Sequence, residues 1–185
     1  MKIFIETERL ILREVECADE NDLFEMDSDP EVHLYIEKKP IGSIDQIRDV
    51  IGTLQKQYKE NGIARWAVVD KKTKECLGWS GLKYFKVSLN NRRNFYELGY
   101  RFKKKHWGKG YATESSIAIL DYGFKNLDID AVYAIANPNN TRSKKVLNKL
   151  GFEHIEVFNH GGDMTDWFEL KKSNWMDKSR TTGDG

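Results

Sequence analysis

Apolar and polar positions change period along the chain, and the changes mark out strands and helices in turn. Residues 8–14 (ERLILRE) alternate weakly, Leu10 and Leu12 on one face and Ile11 on the other, and predict a first strand. Asp19 is placed to cap a short helix through Ser28, with Leu23, Phe24 and Met26 toward a core. Ser43 and Gln46 have the spacing of a capping box, and Ile47, Val50, Ile51, Leu54 and Tyr58 then recur every three or four residues. That helix should reach Glu60 and stop at Asn61-Gly62. Arg65–Val69, a polar turn over 70–75 and Cys76–Phe85 read as a β-hairpin, and Phe95–Phe102 as a further strand. A helix is expected over Ala112–Asn126, with Thr113, Ile117, Ile119, Leu120 and Phe124 on its apolar face. A buried strand follows at Ala131–Ala136. Asn140 can cap the next helix and Gly151 close it. Phe152–Phe158 and Met164–Leu170 form a last hairpin.

This is the pattern of a mixed α/β sheet with helices on its faces. Residues 1–176 are expected to form a single domain, and the polar run 177–185 a disordered tail. The chain is 39% hydrophobic and 12% aromatic, enough to fold around a core. Its net charge of +1 gives no global case for nucleic-acid or membrane-surface binding. Cys17 and Cys76 have no metal-ligand spacing, so reduced thiols, a cytoplasmic location and no metal are expected. The N-terminal MKIFIETERL offers only a short apolar run before its charges, unlike a signal peptide, and no stretch is long enough to span a bilayer.

The chemistry concentrates in Glu97–Phe124. A strand runs into the loop HWGKGYAT, whose Gly108 and Gly110 sit where a helix must begin. Glycine lets the backbone turn tightly and approach a ligand, and a helix start presents free N–H groups and a positive dipole end. Arg101, Lys103, Lys104, Lys105 and Lys109 add positive charge, and together these features describe a pyrophosphate cradle. It is not a dinucleotide fingerprint, because Thr113 stands where a third glycine would be, and not a P-loop, because Lys109 lies between the glycines. An ordinary β-to-α turn with solubilising lysines is the alternative.

The run Trp107-Gly108-Lys109-Gly110-Tyr111-Ala112-Thr113-Glu114 resembles the acyl-CoA motif of the GCN5-related N-acetyltransferases (GNAT), in the form seen in their RimJ/RimL-type branch. Trp107 departs from the Gln or Arg of the wider superfamily. The same branch often opens with E-T-E-R-L-I-L-R, repeated here by Glu6–Arg13, and carries N-x-x-S before L-x-K-L-G-F, found as Asn140–Ser143 and Leu147–Phe152. The resemblance implies a sheet of six or seven strands, splayed into a V between its two central strands, with about four helices. It also implies transfer of an acetyl group from acetyl-CoA to a primary amine.

On that resemblance, the backbone of Tyr100, Arg101 and Phe102 would bond the pantetheine arm, with an N–H near Tyr100 polarising the thioester carbonyl. Residues Trp107, Gly108, Lys109, Gly110, Tyr111, Ala112 and Thr113 would hold the pyrophosphate. Asn137 and Asn140 would bind pantetheine or cap the helix, and Arg142, Lys144 and Lys145 would approach the 3′-phosphate. Ser143 would serve the leaving thiolate, because the tyrosine that many relatives place four residues later is Leu147 here. Glu97 is the candidate general base, whose pKa partial burial would raise; a surface carboxylate paired with Arg101 is the plain alternative. Glu114 reads as a structural carboxylate in the first turn of its helix. Asp27, Asp29, Glu31 and Glu37 would make the acceptor side acidic, while His33 and Tyr35 there read as packing or surface groups. The acceptor would be a peptide or protein N-terminal amine, or a small molecule such as a polyamine, an aminoglycoside or an amino-acid analogue. A non-catalytic acyl-CoA sensor and a nucleotide-phosphate module are the competing functions. Monomer and homodimer both fit the sequence.

Overall fold

The computed structural model describes residues 2–36 and 39–181, and the side chains of these through Asp177. Eight strands lie in one sheet in the order β1-β2-β3-β4-β5-β6-β8-β7. They are β1 (Ile3–Glu6), β2 (Leu10–Arg13), β3 (Arg65–Asp70), β4 (Cys76–Phe85), β5 (Phe95–Phe102), β6 (Ala131–Ala136), β7 (Glu153–His160) and β8 (Asp163–Lys171). Five helices accompany them: α1 (Glu20–Asp27), α2 (Ile44–Asn61), α3 (Tyr111–Asn126), α4 (Thr141–Leu150) and α5 (Lys172–Thr181).

Among the described residues there are eight strands where six or seven were expected, and five helices where about four were. The additional strand β1 is four residues long and shows too little alternation to be recognised. It pairs antiparallel with β2, and Phe4 stacks on the buried ring of Trp66 at 4.3 Å between centroids. The additional helix α5 runs into the segment expected to be a tail. Trp175 anchors it, 5% exposed, with its indole N–H donating to Asp121 at 2.7 Å.

Every neighbouring pair in the sheet is antiparallel except β5 and β6, which are parallel and register at one position only, Glu97 opposite Tyr133. Beyond that pair the two strands separate, which is the expected V. The caps behave largely as read. Gln46 accepts from the Ser43 N–H at 3.1 Å, Gly62 ends α2 with φ 72°, and Gly151 ends α4 with φ 93°. Asp19 is the exception: it is buried and takes Arg13's guanidinium at 2.7 Å instead of capping α1. In α3 the inward positions are Ser115, Ser116, Ile119, Leu120, Gly123 and Phe124, while Ile117 is exposed. Small residues there bring α3 close to the sheet; a Cβ on Gly123 would lie 2.7 Å from Leu82.

Candidate active site

The loop turns where the glycines suggested. Gly108 (φ 76°) and Gly110 (φ 83°) adopt left-handed conformations, and Gly110 is the N-cap of α3, which no side chain caps. The first N–H groups of a helix have no partner within it, so this start is open to an anion. Behind the loop, Trp107 donates its indole N–H to the Phe102 carbonyl at 2.8 Å, and Arg142 lies over the same ring at 5.0 Å. Phe102 itself is buried, so toward a ligand it offers backbone only.

Two residues that the sequence reading gave no role hold the cradle from the other side. Arg9 donates to the Lys109 carbonyl at 3.0 Å and to Glu114 at 2.6 Å, and its guanidinium lies over the Tyr111 ring at 4.6 Å. Thr7 donates its hydroxyl to Glu114 at 2.5 Å. Burial pushes Glu114's carboxyl up, but the hydrogen bonds from Thr7 and Arg9 outweigh it and hold the carboxyl below its usual range. A groove of about 660 Å³ lined by Thr7, Arg9, Gly110, Thr113, Glu114 and Lys149 opens beside the cradle.

The basic cluster is not what the sequence suggested. Lys103 is 2% exposed and its ammonium touches Asp22, Glu25 and Glu75 at 2.6, 2.8 and 2.9 Å. Lys105 pairs with Glu25 and Glu75 at 2.8 and 2.9 Å, Arg101 with Asp27 at 2.7 Å, and Lys104 with Glu31. Lys144, expected near a phosphate, pairs with Asp166 at 2.8 Å. Four of the five cradle cations are therefore committed to acids, chiefly from α1 and the turn after it. This leaves Lys109, Arg142, the exposed Lys145 and backbone N–H groups for a phosphate. Asp22, Glu25 and Glu75 also have the spacing of a metal site, but the Lys103 ammonium fills it. Burial pushes Glu75 up, yet Lys103, Lys105 and His106 together bring it down to about 2.

The acidic acceptor side is corrected in part: Asp27 and Glu31 are ion-paired, while Asp29 accepts only from the Glu31 N–H at 2.9 Å and keeps its charge. Glu37 lies outside the described residues. His33 is buried with Nε2 3.5 Å from Asp27, and Tyr35 is exposed.

Alternation along β5 sends its side chains to opposite faces. Glu97, Gly99 and Arg101 face α1, where Arg101 also lies over Trp79 at 5.1 Å. Glu97 is buried, and one carboxylate oxygen is paired with Arg65, not with Arg101. Arg65 reaches it across β4, donating to the carbonyls of Gly81 and Glu97 at 2.7 Å each. The route is open because Gly99 has no side chain; a Cβ there would lie 2.5 Å from the guanidinium. The glycine was visible in the sequence, but its partner, 34 residues earlier, was not.

On the other face, Tyr100 reaches α4. Its hydroxyl lies 3.0 Å from Ser143 Oγ and 3.1 Å from the Ser143 carbonyl oxygen. The Ser143 N–H donates to the Asn140 side chain at 3.1 Å, so Asn140 caps α4 as expected, and Asn137 accepts from the Asn139 N–H at 3.0 Å. Leu147 is buried.

A sheet splayed between two parallel strands, with an uncapped helix start after the first of them, is the architecture of an acyl-CoA-dependent transferase. The profile of the acetyltransferase (GNAT) domain matches residues 9–153, and the chain belongs to the GNAT acetyltransferase family as an acetyl-CoA-dependent N-acetyltransferase. It is 37% identical over 147 residues to the N-acetyltransferase p20 of Bacillus licheniformis, itself uncharacterised, covering 80% of each chain. A GNAT-family acetyltransferase of Bacillus anthracis superposes with a TM-score of 0.76 at 26% identity, covering 92% of this chain and 99% of that one. Two further structures share the fold at 20% identity. The spermidine N-acetyltransferase of Vibrio cholerae, bound to CoA and spermine, has a TM-score of 0.73 and covers 92% of this chain and 99% of its own. The ribosomal-protein-S5-alanine acetyltransferase of Vibrio fischeri has a TM-score of 0.72 and covers 92% and 97%. Among the described residues no helix is long and apolar enough to cross a membrane.

Proposed function

We propose that this chain acetylates an acceptor bearing a single reactive amine, the α-amine of a peptide or protein N-terminus, in the manner of the RimJ/RimL-type branch. The observation that carries this reading is the pairing of Asp27 and Glu31 on the acceptor side. A polyamine needs carboxylates for its additional ammonium groups, and Asp27 and Glu31 are held by Arg101 and Lys104. An N-terminal amine, with a pKa near 8, is partly neutral at physiological pH and needs no such partners. The two solved relatives that act on spermidine and on a ribosomal protein represent the two alternatives.

In this reading the pyrophosphate of acetyl-CoA rests on the N–H groups of Gly108 to Thr113, assisted by Lys109 and Arg142. Pantetheine follows the unpaired edge of β5 past Tyr100, Arg101 and Phe102, between Trp107 and the Asn137–Asn140 turn. A backbone N–H near Tyr100 polarises the thioester carbonyl as it becomes tetrahedral. The neutral amine attacks directly in a ternary complex, and Glu97 takes its proton, directly or through water. The Arg65 guanidinium holds one carboxylate oxygen of Glu97 in place, so the carboxylate is oriented before the amine arrives. Ser143 faces the leaving sulfur.

CoA release from acetyl-CoA, scored against N-terminal peptides, spermidine and simple monoamines, tests the proposal. Faster turnover with peptides than with spermidine is expected. Spermidine as the best acceptor would overturn the choice of amine, and acetyl-CoA binding without release for any amine would favour the sensor.

A further inference from the structure

The Tyr100–Ser143 contact joins β5, one side of the splay, to α4, the helix that follows β6 on the other side. Long helical side chains lean toward the helix N-terminus and cover the residue four positions earlier. A tyrosine at position 147 would therefore bring its hydroxyl over the turn that holds Ser143. Leu147 brings none, and the Tyr100 hydroxyl reaches that turn from β5 instead, 3.0 Å from Ser143 Oγ.

A carbonyl oxygen only accepts, so at 3.1 Å from the Ser143 carbonyl the phenol is a donor, while either hydroxyl can donate in the 3.0 Å contact with Ser143 Oγ. A serine hydroxyl that accepts from the phenol has its own proton left to donate elsewhere. Burial pushes the Tyr100 phenol up to about 12, partly offset by its bond to Ser143, so it remains a donor throughout the working pH range.

We propose that Tyr100 is a positioning residue for Ser143: by donating to Oγ it directs the serine O–H at the sulfur of the bound thioester. When the tetrahedral adduct collapses, the C–S bond breaks and its electron pair stays on sulfur. Ser143 donates a hydrogen bond to the thiolate as the charge develops. The thiolate then takes a proton from solvent, and Glu97 releases to solvent the one the amine lost. No proton leaves Tyr100. The arrangement supplies from a strand the hydroxyl that a helix tyrosine would otherwise bring.

The inference rests on the acetyl-transfer reading, so wild-type CoA release with its best amine is measured first. Tyr100→Phe, Ser143→Ala and the double variant are then compared for kcat, KM for acetyl-CoA, and the melting-temperature rise on adding acetyl-CoA. Tyr100→Phe is expected to lower kcat roughly tenfold, an effect of about 1.4 kcal/mol, with KM and the acetyl-CoA melting shift near wild type. The double variant is expected to be no slower than Ser143→Ala, because Tyr100 acts through the serine. A Tyr100→Phe kcat within twofold of wild type, a loss in KM alone, or losses that multiply in the double variant would overturn the proposal while leaving acetyl transfer intact. A wild-type chain that binds acetyl-CoA and acetylates nothing removes the transfer reading, and this inference with it. If Tyr100→Phe does not fold, fluorotyrosine incorporated at position 100 keeps the ring and strengthens the donor. An increase in kcat supports the proposal, and an unchanged or lower kcat overturns it.

Discussion

Arg9 and Glu114 lie 105 positions apart in sequence, and the Arg9 Nε is 2.6 Å from the Glu114 carboxylate. The contact makes one unit of two stretches that look unrelated along the chain. The loop before β2 supplies Thr7 and Arg9, and the first turn of α3 supplies Glu114. Arg9 also holds the Lys109 carbonyl, so the same side chain fixes the helix start and the loop that precedes it. An anion site made of backbone N–H groups binds well only if the backbone is held in place beforehand.

Replacing Arg9 with alanine should therefore weaken acetyl-CoA binding more than it slows the chemistry. Arg9 is substantially exposed, so the stability loss should stay near 1 kcal/mol. KM for acetyl-CoA should rise roughly five- to tenfold, equivalent to about 1–1.4 kcal/mol, with kcat within about twofold of wild type. Steady-state kinetics at saturating amine separate the two. A drop in kcat with KM unchanged would show that the clamp serves the reaction centre instead of the cradle.

Lys103 should carry more of the stability. Lys103→Met leaves Asp22, Glu25 and Glu75 facing one another without their central cation. Removing one partner from a buried ion cluster costs about 3 kcal/mol, and Lys105 retains part of the pairing, so a loss of about 2 kcal/mol is expected. The loss should depend on pH. Glu75 has its folded pKa lowered from 4.5 to about 2, so its contribution is fully present above pH 4.5 and disappears as pH falls from there toward 2. The melting-temperature gap between Lys103→Met and wild type should be widest near neutrality and narrow below pH 4.5. A gap that stays constant from pH 7 to pH 3 would refute the ion-pair account.

Element types and most boundaries were legible because each rests on local chemistry. The Ser43–Gln46 box, Asn140 as cap and the glycines at 62, 108, 110 and 151 need only their neighbours to be understood. The V was legible only through resemblance, because no local pattern tells β5 to leave β6 after Glu97. The charges were misread for a physical reason. A run such as Lys103-Lys104-Lys105 looks available until its partners are known, and those partners, Asp22, Glu25, Glu31 and Glu75, lie 28 to 81 positions away in sequence. Glu97 was assigned Arg101, two residues along the strand, as its alternative partner. The real partner is Arg65, two strands away, and only the cross-strand register brings it within reach.

That register gives the most specific test of Glu97. In the order β3-β4-β5, Arg65 stands opposite Gly81, and Gly81 opposite Gly99. The guanidinium crosses the sheet over this row, and the missing Cβ of Gly99 leaves it room. Gly99→Ala should push the guanidinium aside without placing a new charge or removing one, because φ at Gly99 is not in the left-handed region. Overpacking of this kind costs about 1–3 kcal/mol, so the variant should fold. Glu97 would remain in place but lose its fixed partner. If Arg65 orients the Glu97 carboxylate as a proton acceptor, kcat should fall at least tenfold in Gly99→Ala and in Arg65→Met, with KM for acetyl-CoA within about twofold of wild type. Glu97→Gln should lower kcat at least as far. Measuring kcat and KM in the four proteins decides the matter. A kcat that is the same in all four would mean that another group accepts the proton and that the Arg65–Glu97 pair serves the sheet alone.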